Sequence, residues 1–178
     1  LIARLLGQAK EQEARRVSAF SFYLALGIAA LFSVGIAVFM HPILRLLGAG
    51  ENTYEYARQY AFCVIVLGGI PTVLSNVLSN LIRSIGRSRE ASVGIILGGL
   101  LNIALDPLFM FVLLPDGYEV LGAGIATCLS NCVALLFFVG VLLRIGRNSV
   151  VTFSPRVGLP SKASIAAVFG VGVPSAIT

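Results

Sequence analysis

The sequence predicts an all-α fold, a polytopic bundle of transmembrane helices, and three observations lead to it. Of the 178 residues, 57% are hydrophobic and 12% are charged, whereas about 25% of residues in soluble domains are charged. The apolar runs have the length of a helix that crosses about 30 Å of hydrocarbon. They also lack the alternation that marks a membrane barrel strand of about ten residues. Because lipid offers no water to an open backbone, a helix bundle is the expected architecture.

Four apolar runs are long enough to cross a membrane, since a spanning helix needs about 20 residues. They cover residues 18–40, 59–82, 91–114 and 121–143, and a shorter fifth run covers 164–178. The sequence begins with Leu1 instead of Met, and residues 1–7 resemble the end of an earlier helix. We therefore expect an internal piece of a longer protein. The connecting segments are short, so the helices themselves must carry any activity.

Connections rich in Lys and Arg alternate along the chain with connections that carry few or none. Residues 1–17, 83–90 and 144–163 together carry eleven of them, while 41–58 carries two and 115–120 none. Because basic loops are retained on the cytoplasmic side of a membrane, we expect the three basic segments in the cytoplasm. The four spans then run out, in, out and in.

Several classes of function are excluded by what the spans contain. The net charge of +5 is divided among short loops instead of gathered on one face, so nucleic-acid binding is not expected. Three cysteines lie within apolar runs with no CxxC pair and no companion His, so we expect neither disulfide, metal site nor cofactor. An enzyme at membrane depth needs converging acid, base or nucleophile side chains. One intramembrane Asp without His predicts no enzyme.

The first two spans differ in polarity. Residues 18–40 are nearly all apolar, which lipid and helix contact explain. In the second span, Pro71 follows two glycines and predicts a kink, because it removes an intrahelical hydrogen bond. Beyond it, polar residues recur every three or four positions and share one face: Thr72, Asn76, Ser79 or Asn80, and Arg83. Hydrogen bonding between helices and the wall of a water-filled cavity are both open interpretations of this face.

The third span contains a stripe of residues four positions apart: Gly94, Gly98, Asn102 and Asp106. The two glycines allow a neighbouring helix to approach closely, and the two polar side chains then face that neighbour. Asn102 lies at the middle of the span and Asp106 about 6 Å beyond it. Neither side chain reaches water easily at that depth.

Asp106 is the most informative residue of the sequence. Placing an Asp near the centre of a spanning helix costs about 2.5–3.5 kcal/mol, and a carboxylate in an apolar site favours its protonated form. Pro107 follows and cannot donate to the carbonyl of Ile103, so we expect a free acceptor nearby. Two interpretations remain: a proton-carrying site, or a buried Asp that only bonds a partner helix.

The fourth span carries its own stripe, in which Ala123, Thr127 and Asn131 step by four with Ser130 beside them. Alone it is typical of helix contact. If it faces the third span, Thr127 completes a polar cluster with Asn102 and Asp106. Asn131, with the polar residues of the second span, is a candidate for lining a cavity.

Four sequence motifs together carry a resemblance. "LIRSIGRSREAS", "GGLLNIALDPLFMF", "LGAGIATCLSN" and "VFGVGVPSAIT" resemble the N-terminal lobe of a multidrug and toxic compound extrusion (MATE) transporter, over essentially the whole chain. The resemblance implies that residues 1–17 are the end of helix 2 and a loop, and 18–143 are helices 3 to 6. It makes 144–163 the linker between lobes and 164–178 the start of helix 7 in the C-terminal lobe.

What the resemblance implies is a multi-pass cell-membrane protein of twelve helices in two lobes around a central cavity. Members export amphipathic, often cationic, drug-like compounds by alternating access, in exchange for a proton or sodium ion. The coupling site of the family's N-terminal lobe maps to Asn102, Asp106 and Thr127, together with an Asp of helix 1 that lies outside this chain. Some members have Asn where Asp106 stands, so the carboxylate favours a proton, with sodium still open. No oligomeric state is predicted.

Two alternatives differ in testable ways. A lipid-linked oligosaccharide exporter of the same superfamily needs a more basic cavity, whereas here Asp106 is the single charge well inside a span, which favours a cationic cargo. A purely structural bundle predicts no response to a proton gradient.

Overall fold

The computed structural model describes residues 1–146, 150–152, 154 and 157–177. These residues form helices and connections, with no strand among them. The helices are α1 (Ile2–Gly7), α2 (Glu11–Val38), α3 (Met40–Leu46), α4 (Glu51–Ala61), α5 (Gly69–Ser84), α6 (Ser88–Leu108), α7 (Glu119–Ile145) and α8 (Lys162–Ile177). The predicted all-α bundle is confirmed.

The spanning helices agree with the predicted apolar runs, and each begins before its run. α2, α7 and α6 with its extension to Leu113 are each long and apolar enough to cross a membrane, and α4 with α5 makes a fourth, bent span. α2 begins at Glu11, because the polar residues before the apolar run continue the helix. The chain then forms the short helix α3, which the sequence pattern does not predict. Gly48, with a φ of +91°, ends it.

The bend in the second span lies at Gly68, three residues before the predicted kink at Pro71. α4 continues as wider π-helical turns over Phe62–Leu67, and α5 leaves this segment at 44°. A Cβ at Gly68 would lie 2.8 Å from the carbonyl oxygen of Val64, so only glycine fits there. Pro71 falls in the first turn of α5, where a missing N–H costs least.

Glycines set the close packing of α6 on α7. A Cβ at Gly94 would overlap the ring of Phe138, which is 1% exposed. Further along, a Cβ at Gly98 would lie 3.1 Å from that of Ala134. The glycine stripe of α6 therefore faces a neighbouring helix, as its spacing predicts, and that neighbour is α7.

The larger core cluster lies where the basic segments meet, and residues from five helices contribute to it: Leu5, Val17, Leu78, Ile82, Ala91 and Phe138. A smaller cluster at the opposite end joins α3 to α4 through Met40, Leu44 and Ala61. His41 Nδ1 lies 3.0 Å from the Tyr54 hydroxyl at this end.

The segment after α7 packs back onto the start of α2. Ser18 Oγ donates to the carbonyl of Val150, and Arg16 Nε donates to that of Val157, each at 3.1 Å. Glu13 Oε1 accepts hydrogen bonds from Ser161 N–H and Ser164 Oγ, both at 2.7 Å. Arg147 and Arg156, which contribute to the charge pattern of this segment, lie outside the described residues.

Candidate cation site

Three polar side chains meet between the last two turns of α6 and the first third of α7. Asn102 Nδ2 donates to Asp106 Oδ1 at 3.2 Å and to Thr127 Oγ1 at 3.3 Å. Thr127 in turn donates its hydroxyl proton to the carbonyl of Ala123 at 2.9 Å. All three side chains are half-buried. We call these three residues, Asn102, Asp106 and Thr127, the polar cluster.

The local sequence explains why these side chains converge. Asn102 and Asp106 lie one turn apart on α6 and therefore on one face. The glycines nearer the start of α6 bring α7 close enough for Thr127 to reach that face. The helix continues through Pro107 and widens into π-helical turns at Phe109–Leu113. Gly122 of α7 fits against this widened part, because a Cβ there would lie 2.7 Å from the carbonyl oxygen of Phe109.

The polar cluster presents oxygen atoms in apolar surroundings. A side-chain amide has two N–H donors, and Asn102 directs its amide nitrogen at one oxygen on each helix. Among the described residues, the ion pairs lie elsewhere, at Glu13, Glu55 and Glu90. Asp106 is thus held by a neutral donor, an arrangement that suits a proton or a hard monovalent cation.

A second polar contact joins α7 to the bent span. Asn131 Nδ2 donates to Thr72 Oγ1 at 2.8 Å, and Thr72 donates to the carbonyl of Gly68 at 2.7 Å. Thr72 and Asn131, two of the predicted cavity-lining residues, therefore bond each other across the α5/α7 interface.

The other candidates for a cavity wall separate into two environments. Asn76 and Asn80 are exposed on α5, and Asn80 borders a cavity of about 420 Å³ near Leu1 and Ser84. Ser79 is 2% exposed, and its hydroxyl has no hydrogen-bond partner within the described part of the chain. It is packed inside the bundle, while Asn80 beside it faces outward.

Ser33 of α2 also contacts the bend, and no sequence pattern predicts this role. Its hydroxyl donates to the carbonyl of Ile65 in the π-helical turns at 3.1 Å. A lone Ser in an apolar run carries no signal that separates this contact from ordinary packing.

With the fold and the polar cluster in place, comparison with known proteins identifies the family. Residues 1–108, more than half of the chain, match the sequence model of the MatE family. The chain belongs to the MatE family. The predicted resemblance is confirmed.

Curated relatives of this MatE chain include multidrug export proteins. It is 31% identical to "Multidrug export protein MepA" of Staphylococcus haemolyticus over 98% of its own length. Identity to the protein of the same name from Staphylococcus aureus (strain NCTC 8325) is 28% over 98% of the chain. The chain spans 37% of the length of each relative.

Solved MatE structures have the same fold. The inward-facing conformation of a multidrug resistance MATE family transporter of the MOP superfamily superposes with a TM-score of 0.87, and the outward-facing conformation of a transporter described in the same words with 0.86, each at 31% identity. The match covers 98% and 99% of this chain and 38% of those chains. A Pyrococcus furiosus MOP transporter, described with a binding pocket of reversed polarity, gives 0.86. The chain is thus part of a multi-pass cell-membrane protein, as predicted.

Proposed function

We propose that the protein containing this chain is a proton-coupled multidrug exporter of amphipathic or cationic compounds, with Asp106, Asn102 and Thr127 as its N-lobe coupling site. The observation that carries the proposal is the bridging of Asp106 and Thr127 by one amide between two spanning helices. The multidrug export named for its relatives supports the cargo class. The proposed activity is transport and not catalysis. It requires a coupling ion, and no other cofactor is proposed.

Protonation changes what Asp106 offers its neighbours. An ionised carboxylate only accepts hydrogen bonds, whereas a protonated one also donates. Asn102 Nδ2 can donate to Oδ1 in either form, and protonation at Oδ2 adds an O–H donor. Protonation therefore favours a packing of α6 against α7 that supplies an acceptor for this new donor. Such a change drives alternating access if the outward and inward states differ in proton affinity.

Other ionisable groups near Asp106 are few. On its own helix and on the helices that pack against it, α5 and α7, the charged residues lie near the helix ends: Arg83, Arg87, Arg89, Glu90, Glu119 and Arg144. The thiols of Cys128 and Cys132 are the further titratable groups along α7. One carboxylate therefore dominates the electrostatics of the polar cluster, which favours a positively charged cargo over the pyrophosphate of a lipid-linked oligosaccharide.

The proposed orientation puts the three basic segments in the cytoplasm. Leu1 and Ser84 border one cavity, and Arg87 and Arg144 border another. Glu13 bonds the start of α8. The described parts of residues 1–17, 83–90 and 144–163 therefore share one end of the bundle, as the positive-inside rule requires.

The test is efflux from proteoliposomes that contain the full-length protein. With an imposed proton gradient and a fluorescent cationic drug, Asp106→Asn should abolish gradient-driven efflux, because Asn cannot carry the proton. Asp116→Asn is the matched control, since Asp116 is exposed in the connection before α7. Efflux unchanged in Asp106→Asn would refute this role. A response to sodium alone would assign sodium as the coupling ion.

A further inference from the structure

We propose that Thr72 and Asn131 are positioning residues for the polar cluster: their hydrogen bond fixes α7 against the bent span and so keeps Thr127 within reach of Asn102. The inference rests on the proposed function, because its effect is measured through coupling-ion dependence. It assigns a role to the bend that goes beyond packing.

The first support is the placement of two bonds on one face of α7. Thr127 and Asn131 are four residues apart, so their side chains share a face and lie about 6 Å apart along the helix axis. Thr127 is bonded toward α6, and Asn131 is bonded toward α5. Within one turn, α7 is therefore attached to both α5 and α6, which restricts its rotation about its own axis.

The second support is that Thr72 is itself held at a fixed point. Its hydroxyl donates to the carbonyl of Gly68 at 2.7 Å and presents its lone pairs to Asn131. That carbonyl lies at the 44° break between α4 and α5. The acceptor offered to α7 is thus positioned by the bend.

The third support is that α2 and α7 both contact the bend. Ser33 of α2 donates to the carbonyl of Ile65, and a Cβ at Gly69 would lie 2.9 Å from the same hydroxyl. Gly124 of α7 packs against Cys63, since a Cβ there would lie 3.0 Å from that of Cys63. α2 and α7 hold the π-helical turns between them, so the position of Thr72 is determined by packing on both sides.

The hydrogen bond between Asn102 and Thr127 depends on the position of α7, and it is the longest in the polar cluster. Asn102 Nδ2 lies 3.3 Å from Thr127 Oγ1, just beyond the usual range of about 2.7–3.2 Å. Within the polar cluster this is the hydrogen bond that crosses from α6 to α7, so a rotation of α7 acts on it directly. Removing the Thr72 hydroxyl should therefore change the ion site from a distance, without altering a residue of the site.

The experiment compares Thr72→Val with Thr72→Ser in the full-length protein in proteoliposomes. Val keeps the branched shape without the hydroxyl, and Ser keeps the hydroxyl. The readout is the coupling-ion concentration that gives half-maximal drug efflux, with the KM for the drug and the maximal rate measured alongside. Thr53→Val is the matched control, because Thr53 is exposed at the start of α4 and bonds only within its own turn. Charged groups on the elements around the polar cluster, Arg83, Glu90, Glu119 and Arg144, are unchanged in every variant.

We expect Thr72→Val to shift the half-maximal ion concentration by about fivefold or more, the lower range of coupling between sites, with the KM for the drug unchanged. Thr72→Ser and Thr53→Val should match wild type. An unshifted ion dependence in Thr72→Val overturns the inference, as does a Thr72→Ser variant that behaves like Thr72→Val. If Thr72→Val does not purify as a folded protein, Asn131→Leu removes the same bond from α7 and is judged by the same shift.

The outcome also separates this inference from the proposed function. If wild type shows no ion-driven efflux, or Asp106→Asn transports normally, the proposed function fails and the inference fails with it. If both behave as proposed while Thr72→Val has a wild-type ion dependence, only the positioning role is refuted.

Discussion

The α6/α7 interface and the bend of the second span are held together in opposite ways. Both helices of the interface are continuous, and glycines bring them close, so that Phe138 is buried and Asn102 reaches Thr127. At the bend, the backbone departs from α-helical geometry, and hydroxyl groups of Ser33 and Thr72 bond carbonyls there. The interface depends on glycines, which have no side chain to keep the helices apart. The bend depends on backbone carbonyls that accept hydrogen bonds from hydroxyl groups. Stability and function should accordingly respond to different substitutions in each.

The largest expected effect is at the interface, from Gly94→Leu. The new side chain would occupy the space of the Phe138 ring, and overpacking of a filled core costs about 1–3 kcal/mol or more. We expect a marked drop in the melting temperature measured in detergent by size-exclusion chromatography after heating.

Gly99→Leu is the control for this substitution, because Gly99 is exposed on the same helix with open space around it. Adding Phe138→Ala to Gly94→Leu should restore part of the lost stability. If Gly94→Leu melts like Gly99→Leu, the close packing inferred for this interface is wrong.

A smaller effect is expected at the bend, from Ser33→Ala. The substitution removes the donor to the carbonyl of Ile65. Hydrogen bonds between membrane helices contribute about 0.6 kcal/mol on average and about 1.7 at most, so we expect a loss in that range. The free energy of unfolding, measured by steric trapping in bicelles, tests it against Ser92→Ala, an exposed Ser on α6. Equal stabilities would show that the bend needs no bond from α2.

The smallest effect is expected outside both regions, at Glu13, which touches neither the interface nor the bend. Glu13→Ala removes the acceptor of Ser161 N–H and Ser164 Oγ, so hydrogen exchange at the start of α8 should accelerate while the melting temperature changes little. Glu11→Ala, two residues earlier and exposed, should leave exchange unchanged. Unaltered exchange in Glu13→Ala would contradict the attachment of α8 to α2.

The sequence predicts the interface far better than the bend, for a physical reason. A regular helix converts a spacing of four into a shared face, so Gly94, Asn102 and Asp106 are recognisable from sequence. The stripe on α7 makes Thr127 a candidate partner, and the family resemblance assigns it to the site. The bend depends on carbonyl groups, which every residue has and no side-chain pattern marks. Pro71 therefore predicts a kink but not its location at Gly68.

Two further features of the structure could not be predicted from the sequence, for geometric reasons. Ser79 and Asn80 are adjacent, so they lie about 100° apart around the helix, and a stripe that fits either cannot say which is buried. The contacts of Glu13 and Ser18 with residues more than 130 positions later have no local signature. They appear only once the chain is folded.

The single amide of Asn102 has a consequence for how such proteins diverge. Because its nitrogen serves an acceptor on each of two helices, a substitution at 106 or 127 changes what position 102 must supply. The three positions should consequently vary together among relatives, with paired replacements more frequent than single ones. A lineage that changes its coupling ion would then be recognisable by a joint change at all three.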